Sequence, residues 1–216
     1  MGCVPPREGF LQGIASLCAK HGALFVLDEV MTGFRVALQG AQGRYGLRPD
    51  LTTLGKIVGG GMPLAAFGGR RDVMSRLAPI GPVYQAGTLS GNPVATAAGL
   101  ATIERLHAPG FYDKLEQTGA VLEAGLRESA QRAGVKVCVQ RVGAMWTVFF
   151  GVDEVTDWDT AAKADTKAFA RWHQALLARG VYMPPSQWEA AFHGIMHDES
   201  VVEATLAAAR ESFREV

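Results

Sequence analysis

Two apolar runs of strand length each end in a charged residue. Leu24-Phe25-Val26-Leu27 runs into Asp28-Glu29, and Leu51-Thr52-Thr53-Leu54-Gly55 runs into Lys56. A short, unbroken apolar run is the pattern of a strand buried on both faces, as in a parallel sheet. The glycine-rich stretch Ile57-Val58-Gly59-Gly60-Gly61-Met62-Pro63 follows Lys56 and reads as a turn. The chain therefore reads as α/β, with one acidic and one basic group at the exits of two strands.

The remaining pattern fills in this class. Residues 7–21 predict a helix with Phe10, Ile14 and Leu17 on one stripe and Gly22 as its C-terminal cap. Residues 32–50 predict loop with one helical turn. Leu64 to Gly68 predicts a third strand. Asn92-Pro93 offers a capping side chain and a first-turn proline for a helix through Leu106. His107-Ala108-Pro109-Gly110 is a breaker cluster. It divides the chain into residues 1–107, part of a large sheet domain, and 108–216, a smaller α+β lobe. The second part predicts a helix over 111–133, strands over 135–142 and 144–150 hinged at Gly143, a helix over 160–179, and a closing helix whose capping box is Ser200-Val201-Val202-Glu203.

Composition narrows the classes of function. The chain has 216 residues, 48% of them hydrophobic, so a sizeable core is expected. Lys+Arg and Asp+Glu both number 21, which argues against nucleic acid or an anionic membrane as partner. No apolar run has the length of a membrane span. Cys3, Cys18 and Cys138 are far apart and outside any CxxC, which fits a reducing cytosol. Met1 to Pro6 reads like the middle of a loop, and a helix follows before any strand for it to cover. The expectation is the C-terminal part of a longer chain.

Ligands of open α/β sheets sit at the carboxyl ends of the strands. Asp28 and Lys56 both lie there. A carboxylate beside a pyridine nitrogen favours the protonated ring. A partly desolvated lysine supplies a nucleophilic amine. Together they suit pyridoxal 5'-phosphate. The rival reading of Asp28-Glu29 is the acidic strand of an ATPase, but Gly55-Lys56 lacks the G-x-x-x-x-G-K-[ST] pattern that it needs. Gly87, Thr88, Ser90 and Gly91, ahead of a helix N-terminus, offer N–H groups and hydroxyls for a phosphate or form an ordinary capped loop. His193 and His197 are spaced i, i+4 but lack a nearby cysteine or an HExxH, so no metal site is expected.

The segment Asp28 to Arg35 and the segment Pro49 to Pro63 resemble the class III aminotransferases of pyridoxal phosphate fold type I. The run GPVYQAGTLSGNP from Gly81 to Pro93 and the segment Pro185 to Phe192 point to the aminomutase branch of that family. The resemblance covers nearly the whole chain. It implies the C-terminal part of the large, mostly parallel domain followed by the small domain. It also implies that Lys56 binds the cofactor covalently and shuttles protons, and that Asp28 pairs with the ring nitrogen. Val30 would pack on the ring face, and Gly87 and Thr88 would bind the phosphate of the other subunit in a homodimer. Glu189 would lie close to the active site and help tune the cofactor. That branch moves an amino group within one five-carbon molecule to give 5-aminolevulinate for tetrapyrrole synthesis, starting from the pyridoxamine form. The family's N-terminal half, with its own phosphate loop and substrate-carboxylate arginine, has no counterpart here. Inactivity of the isolated chain is therefore expected. Alternatives are an ω-aminotransferase, a racemase, or a non-catalytic chain of the same fold.

Overall fold

The computed structural model describes all residues 1–216, which fall into two compact units. One is Glu8–Pro109; the other joins Met1–Arg7 to Gly110–Val216. The sequence reading began the first part at residue 1, whereas the first seven residues belong with the C-terminal unit. Gly2 N–H donates to the Trp188 carbonyl, and Cys3 N–H donates to the Thr147 hydroxyl at 2.9 Å. Burial pushes the Cys3 thiol up to about 11. No helix is long and apolar enough to cross a membrane.

The Glu8–Pro109 unit runs α1 (Phe10–His21), β1 (Val26–Asp28), α2 (Gly40–Arg44), β2 (Leu51–Leu54), a 3₁₀ turn (Lys56–Gly59), β3 (Ala66–Gly69), α3 (Arg71–Met74) and α4 (Pro93–Leu106). The sheet order is β1-β2-β3, parallel between β1 and β2 and antiparallel between β2 and β3. β1 is thus an edge strand, not the doubly buried one that its apolar run predicts. Phe25 is buried, but Leu24 and Val26 are exposed, because alternate side chains point to opposite faces and only one face is covered here. α1 forms as expected and ends at Gly22, φ +65°, yet it buries none of its residues. α4 starts where the capping signal put it: the Asn92 side chain accepts from Ala95 N–H at 3.1 Å, with Pro93 as first residue.

The second unit contains α5 (Phe111–Arg132), β4 (Val137–Val142), β5 (Met145–Phe150), α6 (Trp158–Ala161), α7 (Thr166–Ala178), β6 (Ala191–Phe192) and α8 (Glu199–Phe213). Its sheet, β4-β5-β6, is wholly antiparallel. Phe150 is fully buried at the centre, with ring centroids of Trp172 at 5.4 Å and Phe213 at 5.9 Å. Each such side chain contributes about 1.5–3 kcal/mol by leaving water. The helix expected over 160–179 is two helices. Asp165 caps α7 by accepting from Lys167 and Ala168 N–H, which stops α6 short of it. α8 is likewise capped by Asp198, two residues before the predicted Ser200, through Val201 N–H at 3.1 Å.

Candidate active site

The register of the parallel pair places the chemistry. Val26 faces Leu51, Leu27 faces Thr52 and Asp28 faces Thr53. The last residue of β1 and the residues after β2 therefore leave the sheet at one carboxyl edge, with Asp28 on the first and Lys56 on the second. Alternation along the strand then separates two neighbouring acids. Asp28 is exposed, and Glu29 is completely buried.

Asp28 uses one oxygen for support. Its Oδ1 accepts from Val30 N–H at 2.9 Å and from the Thr53 hydroxyl at 3.2 Å. No hydrogen bond reaches Oδ2. Glu29 is entirely committed: it accepts from the Thr32 hydroxyl at 2.5 Å and from the N–H groups of Ala41 and Gln42, both at 2.8 Å. The buried carboxylate caps the first turn of α2, where backbone donors have no helical partner. Glu29 caps a helix twelve residues away. Gly40 makes this possible, because a Cβ there would meet the carboxylate oxygens at 2.5 and 2.6 Å.

Lys56 opens the 3₁₀ turn with φ +52°, in the left-handed region. A residue with a Cβ pays on the order of 1–3 kcal/mol to sit there, and such strain gathers at functional positions. The side chain is exposed, and its Nζ lies 2.6 Å from Met31 Sδ. Just ahead of it, Val30 Cγ1 stands 3.2 Å from where a Cβ of Gly55 would be, so glycine lets Val30 pack on the backbone leading into Lys56.

Val30 and Gly87 line one open cleft of about 650 Å³, together with Thr53, Phe67, Ser90 and Gly91. Thr53 is the register partner of both Asp28 and Phe67, so these three side chains share one face of the sheet. A turn closed by Ser90 N–H on the Gly87 carbonyl shapes the loop, and Thr88 lies within it. The N–H groups of Gly87 and Thr88 and the Thr88 hydroxyl carry no hydrogen bond within the chain. A larger cleft, about 800 Å³, is lined by Gly33, Phe34, Gln39, Gly43, Leu47 and Arg48. Neither Asp28 nor Lys56 lines either cleft, and the one carboxylate of the larger, Glu29, is the capping group.

At the opposite end of the strands, Asp50 ties the sheet together. Its Oδ2 accepts from Phe25 N–H at 2.7 Å and its Oδ1 meets the Arg70 guanidinium at 2.7 Å. Arg70 and that backbone N–H hold the Asp50 carboxyl below the usual carboxylate range. Of the Arg70-Arg71 pair, Arg70 forms ion pairs within this chain, to Asp50 and to Asp72 at 2.6 Å.

Glu189 belongs to the other unit and is exposed. Its carbonyl accepts from the Thr147 hydroxyl at 3.2 Å. Two places before it, the buried Gln187 donates to the Val148 carbonyl at 2.8 Å and accepts from Phe150 N–H at 3.4 Å, so its amide pairs with the edge of β5 as a strand residue would. Nothing local to Gln187 in the sequence announces that role. His193 is buried, with Nε2 2.8 Å from the Leu115 carbonyl, while His197 is exposed and bonds to Gly194.

The chain belongs to the class III aminotransferase family, which matches residues 1–192. It is 62% identical over 212 residues to a glutamate-1-semialdehyde 2,1-aminomutase from Sorangium cellulosum, covering 98% of this chain and 48% of that protein. Its fold is that of the pyridoxal phosphate-dependent enzymes of fold type I. An ω-transaminase from Sphaerobacter thermophilus superposes with a TM-score of 0.91 at 31% identity, covering 99% of this chain and 49% of that one. A glutamate-1-semialdehyde aminomutase from Pseudomonas aeruginosa, solved in complex with PMP, gives 0.86 at 28% identity, covering 98% and 49%. The chain spans about half the length of the curated relatives it matches.

Proposed function

We propose that these residues form the lysine-bearing half of a glutamate-1-semialdehyde 2,1-aminomutase, an isomerase that yields 5-aminolevulinate for tetrapyrrole synthesis. The observation that carries this reading is the pairing of Asp28 and Lys56 at the carboxyl ends of adjacent parallel strands. The 62% identity to a relative bearing that name supports the substrate. In this reading the Glu8–Pro109 unit is part of the cofactor-binding domain, and the unit dominated by Gly110–Val216 is the small domain.

The residues fit pyridoxal 5'-phosphate. Asp28 keeps a free carboxylate oxygen, Lys56 an exposed amine, and Gly87 and Thr88 unbonded donors. When bound, that group supplies the electron sink for the pair released as a substrate C–H bond breaks. Asp28 holds a proton on the ring nitrogen. Lys56 would anchor the group through its amine and, once released, would carry protons between substrate and cofactor carbons. Val30 covers a ring face. Gly87 and Thr88 donate to the phosphate, and the resemblance assigns them to the cofactor of a second copy, making the working unit a homodimer. Glu189 tunes the cofactor, a role that rests on the resemblance of the segment around it. No helix for spanning a membrane and balanced charge agree with a cytoplasmic enzyme.

The test supplies glutamate-1-semialdehyde without an external amino donor to the protein carrying these residues and follows 5-aminolevulinate. Formation of product without a released keto acid supports the aminomutase. The superposition on an ω-transaminase favours one second reading. It predicts instead that turnover needs an amino donor and releases its keto acid.

A further inference from the structure

We infer that Thr53 is a positioning residue that aims Asp28, fixing which carboxylate oxygen is left for the cofactor ring. The inference rests on the proposed pairing of Asp28 with a protonated ring nitrogen. A carboxylate at the end of a strand rotates about two side-chain bonds, and an exposed one has no reason to hold one orientation. Asp28 has two reasons. Val30 N–H, at 2.9 Å, and the Thr53 hydroxyl, at 3.2 Å, both donate to Oδ1. The first donor is local to β1. The second comes from the neighbouring strand and exists only because Asp28 and Thr53 are register partners on one face of the sheet. Two donors from different directions on one oxygen fix the carboxylate plane. They leave Oδ2 as the oxygen without a partner.

Thr53 also lines the cleft beside Val30 and stands three residues before Lys56. The β2 side chain that donates to Asp28 thus also borders the cleft lined by Val30 and Gly87. A hydroxyl here costs β structure nothing, since threonine is β-branched, but valine would serve the strand equally well. Only the hydroxyl can donate to Asp28. If Thr53 were there for the strand alone, removing the oxygen would leave the cofactor's ring nitrogen unaffected.

The experiment uses the holoprotein carrying these residues, loaded with pyridoxal phosphate labelled with ¹⁵N in the ring. The ring-nitrogen resonance is followed against pH, and pyridoxamine 5'-phosphate affinity of the cofactor-free protein is measured by calorimetry. Thr53→Val is expected to lower the ring-nitrogen titration midpoint by about one pH unit and to weaken binding about ten-fold. Thr53→Ser is expected to retain both wild-type values, since it keeps the hydroxyl. Thr53→Ala removes the same oxygen and replaces Thr53→Val if that variant fails to fold. The inference is overturned if the hydroxyl-free variants match wild type while Asp28→Asn shifts both readouts. It is also overturned if Thr53→Ser behaves like Thr53→Val, which would make the contact one of packing. Wild-type behaviour of Asp28→Asn itself would instead remove the ring-nitrogen pairing on which the inference stands.

Discussion

The Glu29 carboxylate accepts the Ala41 N–H at 2.8 Å, deep inside the protein, while Asp28 beside it points its carboxylate outward. One acid builds the scaffold and the other is available for chemistry. Glu29→Ala leaves the Thr32 hydroxyl and the Ala41 and Gln42 N–H groups without their acceptor. Since an orphaned buried donor costs about 1–3 kcal/mol and only the Ala41 N–H is fully buried, a loss of about 1–3 kcal/mol is expected. Glu29→Gln is expected to cost less but still destabilise, because its amide nitrogen must face a donor. Urea unfolding midpoints of the two variants check the order.

Lys56 carries the proposed proton transfers. Lys56→Ala is expected to abolish borohydride trapping of pyridoxal phosphate on the protein and to lower turnover by roughly 10²–10⁴-fold. Trapping at wild-type yield in that variant would place the cofactor's attachment elsewhere, and mass spectrometry of the labelled peptide would locate it.

The proposed exchange of Gly87 and Thr88 between copies can be read from mixed dimers. Lys56→Ala lacks the amine, and Thr88→Glu sets a negative charge against the phosphate. If the loop serves the second copy, a mixed dimer rebuilds one intact site of two, and equal mixing restores roughly a quarter of wild-type activity. If the loop serves its own chain, no site is rebuilt and the mixture stays as inactive as its components. The measurement is activity after joint unfolding and refolding of the two variants.

His193 makes the second unit sensitive to acid. Its Nε2 faces the Leu115 carbonyl, so the neutral ring carries its proton there, and the buried Nδ1 has no partner. Burial pushes its pKa below the ordinary 6.5. The Leu115 carbonyl and Glu116 oppose that shift, while Arg141 and His197 add to it. Gly119 leaves the room for this, since a Cβ there would stand 2.9 Å from both the His193 ring and the Arg141 guanidinium. Above 6.5 the ring is neutral folded and unfolded, and stability is fully present. As pH falls below 6.5 the unfolded chain takes up the proton first, so stability declines until the folded ring is protonated too. Melting temperature should therefore fall with pH in that window, and His193→Gln should flatten the fall.

Gly99 on α4 touches the turn that holds Lys56. A Cβ there would collide with the Val58 carbonyl and stand 2.9 Å from Leu64 Cδ2. Gly99→Ala is expected to destabilise by about 1–3 kcal/mol through overpacking, despite alanine's better helix propensity. Thermal unfolding checks the sign: a gain in stability would mean that α4 shifts freely off the turn.

What could be read from the sequence is what depends on near neighbours along the chain. Asn92-Pro93 announces the start of α4, because a cap directly precedes its helix and bonds to a residue three places on. Leu115, Leu122 and Leu126 announce the buried face of α5 through their spacing. Asp28 and Lys56 were legible as strand-end groups for the same local reason. Asp165 and Asp198 were missed as caps, although both are acids directly ahead of their helices, because an apparently continuous helix over 160–179 hid the first and the Ser200 capping-box pattern displaced the second.

The sequence by itself determined the class of fold, the family and the two charged groups at the strand exits. Only the tertiary structure decided what each group touches. Register across β1 and β2 brought Thr53 to Asp28, the buried side of one strand sent Glu29 to α2, and a loop folded back on β5 gave Gln187 its backbone partners. Those contacts join residues distant in the chain, whose meeting depends on the free energy of the whole unit and leaves no periodic trace in the sequence.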